Sequence, residues 1–362
     1  MADKSKIEWT DATWNPIRGC SRVSEGCRHC YAERTAARFS GSGQPYQGLA
    51  ELISVVWPVE MYVNMVHGEL KGDPPIGKVV AEPRWTGDVR FIPEMLDQPL
   101  RWKRPRKIFV NSMSDLFHEK VDVRWVDQIV AAMLVTPQHT YQVLTKRPER
   151  MRNYLCNVGA RQIEPHMQRL RAGIGRLDWP WRNIQWGVSV EDQKTADERI
   201  PLLLQTPTAV RWVSYEPALG PVDFTRSIPC GYYCDESVGH VDHGPNGNLG
   251  AIDWIVAGGE SGPGARQAHP EWFRIARDQC KTAGVPFFFK QWGEWLHASQ
   301  MNHAFSDPEL DRLTFKTVCR DTGKGDLFFR VGKKRAGHLL DGKVHQQFPS
   351  TSHESRITSH ET

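Results

Sequence analysis

Short apolar runs recur along this chain at intervals wide enough to hold a helix, and this rhythm restricts the fold more than any other feature. The runs are 89-VRFI-92, 107-KIFVN-111, 140-TYQVL-144, 184-IQWGVSV-190, 210-VRWVSY-215, 252-IDWIVAG-258 and 285-VPFFFK-290. Between them lie the helical patterns 121–134, 193–205 and 271–284, the last closed by a C-terminal glycine. Alternation of this kind is the signature of βα units around a parallel sheet. Seven runs, with an eighth strand expected near Thr13 to Arg18, predict an α/β chain folded as a complete or partial (β/α) TIM-like barrel with insertions.

The ends of the runs are chemically richer than their interiors. Asn111, Ser112, Ser114 and Asp115 follow the second run, Lys146 and Arg147 the third, Glu216 the fifth, and Gly258, Gly259 and Glu260 the sixth. Polar groups gathered after successive strands are what the active face of a barrel presents. Such residues could bind ribose, an amino-acid group, a carboxylate or a phosphate. They could equally cap helices and form internal salt bridges.

The sequence reads as one barrel-like domain over 1–349, with an elaboration of helices or loops at 40–83, a Cys/His-containing insertion at 226–250 and a flexible tail at 350–362. A chain with 40% hydrophobic and 24% charged residues is a folded one. No signal peptide and no apolar run of spanning length is evident, so a cytoplasmic location without membrane contact is expected. The formal charge of +4 permits contact with nucleotides or nucleic acid without requiring it. The basic run 101-RWKRPRK-107, with Lys290, Arg330 and 333-KKR-335, could meet a polynucleotide backbone or be a solvated face.

Eight cysteines are too few for a disulfide scaffold, and five of them fall into two clusters. Cys20, Cys27 and Cys30 are spaced C-x6-C-x2-C. Three thiolates suit a [4Fe-4S] cluster with one iron open to a small molecule such as S-adenosyl-L-methionine; zinc, or inert or redox thiols, remain alternatives. Cys230, Cys234, His240 and His243 could form a structural zinc knuckle or stand in an ordinary loop.

The segments 9-WTDATWNPIRGCSRVSEGCRHCYAE-33, 109-FVNSMSDLFHE-119, 144-LTKRPERM-151, 186-WGVSVE-191, 214-SYEPALGP-221, 254-WIVAGGESGPGAR-266 and 289-FKQWGEW-295 resemble the phage Gp37/Gp68 family, as does the closing 333-KKRAGHLLDGKVHQQFP-349. That resemblance implies kinship with radical S-adenosylmethionine enzymes, although their commonest spacing is C-x3-C-x2-C and their GGE motif lies early in the chain. The leading expectation is therefore an iron–sulfur enzyme that cleaves the cofactor to a 5′-deoxyadenosyl radical to modify or repair a nucleotide or nucleic acid, supplied by an electron donor such as flavodoxin or ferredoxin. The rivals are a zinc-binding nucleotide-modifying enzyme and a non-catalytic module that binds nucleic acid or a protein partner.

Overall fold

A computed structural model describes residues 5, 7–57, 78–158, 163–171, 179–226, 251–306, 308–310, 319–321 and 326–349. Seven parallel strands form the central sheet in strict chain order: β1 (Ala12–Trp14), β2 (Lys107–Val110), β3 (Thr140–Thr145), β4 (Ile184–Val190), β5 (Arg211–Tyr215), β6 (Trp254–Gly258) and β7 (Phe287–Gln291). The sheet curls into an open half-barrel, so the partial form of the expected barrel is the one adopted. Run 89–92 is not one of its strands. Arg90–Phe91 instead forms a two-residue antiparallel pair with Ile17–Arg18.

Helices cover the outside of the sheet. After α1 (Tyr31–Arg38), which follows the first cysteine segment, come α2 (Val123–Leu134), α3 (Pro148–Cys156), α4 (Gln193–Leu204) and α5 (Pro270–Ala283). Local chemistry sets their ends. Asp122 caps α2 by accepting from the Arg124 N–H, and Asp192 and Thr195 make a reciprocal capping box on α4. Gly284, at φ +67°, closes α5 in the left-handed conformation that a side chain disfavours.

Strand periodicity separates two cores. Residues such as Ile108, Val110, Tyr141, Val143, Trp186, Val188, Val213 and Ile255 face outward and pack with Ile129, Val130 and Met133 of α2 and with Leu203 of α4. Alternate positions face the barrel axis, where Phe109, Trp212, Trp254, Val256 and Phe288 pack with Trp9 from the segment before β1. This aromatic layer floors the half-barrel. Gly187 is obligatory beneath it, since a Cβ there would stand 2.5 Å from the Trp212 indole nitrogen.

Two additions flank this body. The elaboration expected as helices or loops contains an antiparallel strand pair, Ala50–Trp57 with Lys78–Trp85, whose runs of valine and isoleucine favour extended backbone. After β7, a small antiparallel sheet of Trp295–His297, Cys319–Asp321 and Leu327–Arg330 precedes a closing segment laid along the β7 edge. In that segment the His345 carbonyl accepts from the Phe289 N–H at 2.7 Å, and Phe348 packs on Trp254 and Phe288. The free edge of a parallel sheet is thereby covered.

Candidate functional site at the strand ends

Above the aromatic floor, the inward positions change from apolar to polar. Strand parity brings Lys146, Ser189, Glu216 and Lys290 to the axis at the C-terminal ends of β3, β4, β5 and β7, where they line a cavity of about 290 Å³. Trp9, Phe109 and Leu144 form its apolar floor. Asn111, Ser112, Ser114, Asp115, Gly259 and Glu260 line it as well, together with Cys20, Cys27 and Cys30. Gly258 is not among the lining residues. It makes room for Glu216, whose Oε1 would lie 2.5 Å from a Cβ at that position.

The cysteine loop reaches across this mouth and is tied to four strand ends. Ser21 Oγ lies 2.9 Å from His118 Nε2 and accepts from Arg147 Nη2 at 2.7 Å. Ser24 Oγ donates to Glu191 at 2.9 Å, and Arg266 Nη2 donates to the Glu25 carbonyl at 2.9 Å. Arg34 Nη2 donates to the Ser261 carbonyl. Gly264, at φ +76°, allows the loop after β6 to close on His29, whose ring would lie 2.7 Å from an added Cβ.

Several of the expected site residues hold the frame. Both Asp115 oxygens are occupied: Oδ1 accepts from Thr145 Oγ1 at 2.8 Å and the Phe117 N–H at 2.9 Å, while Oδ2 meets Arg147 at 3.0 Å and the Lys146 N–H at 3.1 Å. Ser112 and Ser114 donate to Asn15 Oδ1 and the Ile17 carbonyl. Glu260 is held by Arg266 and Glu216 by Lys290, the latter at 3.0 Å. Asn111, in left-handed backbone at φ 59°, accepts from the Ile17 N–H, but its Nδ2 is buried with no hydrogen-bond partner among the described residues. The Trp9 indole N–H is in the same condition.

Sequence reasoning missed the group around Glu191. Its carboxylate is buried at the end of β4, contacts the Lys146 ammonium, and accepts from Arg199 at 3.2 Å and from Ser24. Two cations therefore surround one carboxylate, and the excess positive charge lies beside Cys27. Burial raises the Cys27 thiol, but the Lys146 ammonium and backbone hydrogen bonds outweigh it and bring the thiol below its usual range. Burial pushes Lys146 down to about 8. The signal was present in the sequence, since Ser189 and Glu191 continue the inward parity of β4.

The iron–sulfur expectation is corrected. Cys20 and Cys30 pack against the apolar group of Ala32, Ala36, Ala50 and Trp85, and burial raises both thiols, Cys20 to about 12. Among the described residues, the group whose ligand atoms all lie within 4.8 Å of one another is His269, His297 and Asp326, which contains no cysteine. The assignments of a [4Fe-4S] cluster, of S-adenosyl-L-methionine as its partner and of the radical reaction fall with it. Cys230, Cys234, His240 and His243 lie outside the described residues.

The basic run 101–107 leads into the N-terminal end of β2 and so lies at the opposite end of the sheet from the pocket. Lys290 is inside the pocket, and Arg330 donates to the Gly262 carbonyl. Among the described residues no helix is long and apolar enough to cross a membrane.

A family described as a protein of unknown function, DUF5131, matches residues 4–349, and the chain belongs to that family. The match names no activity and does not extend to the finer resemblance to Gp37/Gp68 proteins or radical enzymes. No curated protein and no solved structure matches the chain.

Proposed function

We propose that the chain is an enzyme that modifies a nucleotide or a nucleic-acid component in the strand-end pocket, with Cys27 as its thiolate and Lys146 as the counter-ion and proton donor. The observation that carries this reading is the convergence of Cys27, Lys146, Lys290 and Glu216 in one cavity above a floor of Trp9 and Phe109. An aromatic floor suits the face of a base, the Lys290 ammonium suits phosphate, and Glu216 suits the hydroxyls of a sugar. A thiolate beside an ammonium suits reversible addition across a ring double bond: the sulfur–carbon bond forms, the π bond breaks and its electron pair takes the Lys146 proton at the adjacent carbon, and the reverse elimination frees Cys27.

The test is pH-resolved alkylation of the intact protein by iodoacetamide, with peptide mapping, in the presence and absence of mononucleotides and short oligonucleotides. Selective labelling of Cys27 with protection by a nucleotide supports the reading. Equal labelling of Cys27 and exposed Cys156, unaffected by any nucleotide, removes it.

A further inference from the structure

We infer that His269, His297 and Asp326 form a binding site for a divalent cation of the zinc class, which fastens the small antiparallel sheet to the first turn of α5. The three residues come from separate parts of the fold: the N-cap of α5, the end of strand Trp295–His297, and the position before strand Leu327–Arg330. Asp326 Oδ1 lies 3.3 Å from His269 Nε2 and 3.6 Å from His297 Nε2. Ligands at zinc bond lengths of about 2.0 to 2.2 Å in a tetrahedron stand about 3.4 Å apart, so the spacing is that of neighbouring ligands on one ion.

Two further observations favour a cation. The ion-pair partners of Asp326 among the described residues are these two imidazoles, with no lysine or arginine, although its side chain is only 33% exposed. Among the described residues the buried His297 Nε2 has no hydrogen-bond partner within 3.5 Å, Asp326 Oδ1 at 3.6 Å being its ion-pair neighbour. Two imidazoles and one carboxylate select zinc over calcium or magnesium and leave the fourth position for water. None of the three lines the strand-end pocket, so the inference stands independently of the reaction proposed there.

The site has a built-in opposing cost. His269 Nδ1 accepts from the Glu271 N–H at 3.2 Å and His297 Nδ1 from the Ser299 N–H at 3.1 Å, which places the neutral imidazole proton on Nε2 in the metal-free chain. Coordination at Nε2 moves that proton to Nδ1 and opens both caps. Binding is therefore expected to be weaker than in a site whose distal nitrogens face carbonyls.

The experiment is calorimetric titration of the chelator-washed full chain with zinc chloride, alongside Asp326→Asn, His297→Gln and Cys27→Ser. One zinc per chain, weakened about tenfold or more in the first two variants and unchanged in the third, is the expected result. Absence of binding up to about 1 mM overturns the inference and leaves a hydrogen-bonded bridge. So does binding that only Cys27→Ser removes. Nitrogen NMR of the histidines in the wild-type chain gives a second readout that does not depend on the variants folding: coordination shifts the Nε2 resonances of His269 and His297, and unmoved resonances overturn the site.

Discussion

Replacing Lys146 by methionine separates a catalytic ammonium from a structural one. The Lys146 amine sits at about 8, against 10.5 for a free lysine, because burial penalises its charge. That gap corresponds to about 3 kcal/mol of strain on the charged form at neutral pH. The substitution removes it and leaves Glu191 still paired with Arg199, at the loss of the contacts to Glu191 and Ser189. Stability at pH 7 is therefore expected to stay within about 1 kcal/mol of wild type or to rise, whereas the Cys27 thiol loses the ammonium that lowers its pKa, which therefore rises. Urea unfolding and the alkylation rate of Cys27 are the assays, with a fall of about tenfold in that rate at pH 7 expected. The wild type should also gain stability as pH rises from about 8 toward 10.5, where the unfolded chain holds a proton on this amine and the folded chain does not; the variant should lack this increment. A loss of more than about 2 kcal/mol with unchanged alkylation would refute the reasoning and make Lys146 a tether.

Other outcomes follow from the same structure. Asp115→Ala should destabilise the protein by about 3 to 5 kcal/mol in denaturant titration, because it leaves Arg147 buried without its inner partner. Gly264→Ala should cost at least about 1 kcal/mol and increase proteolysis of the cysteine loop, since the new Cβ meets His29 in backbone a side chain disfavours. Arg274 hydrogen bonds hold the Asp341 carboxyl below its ordinary range, so its contribution is present above pH 4 and fades as pH falls through the depressed value; the stability gap between wild type and Asp341→Asn should narrow between about pH 5 and pH 2.

The parallel sheet was readable from continuous apolar runs, and the pocket from polar residues placed just after them. Lys146, Glu216 and Lys290 share a side because each continues the inward parity of its strand. Run 89–92 misled because a short apolar stretch does not reveal its partner, and Phe91 found Ile17 rather than a barrel neighbour. The cysteine spacing gave the loop its place but not its ionisation. Whether the Cys27 thiol is charged depends on burial and on Lys146, which lies more than a hundred residues away in the chain, as well as on the backbone of its own loop. The His269, His297 and Asp326 group has no sequence spacing to betray it, since three separate elements bring it together.

The floor of the half-barrel takes residues from both extremes of the described chain, with Trp9 and Phe348 each against Trp254. During synthesis the first six strands therefore emerge from the ribosome before the segment that closes their base and covers the edge of β7. The nascent protein holds an open, apolar cup until that closing segment has been made, and the cup is the surface a chaperone would have to shield in the interval.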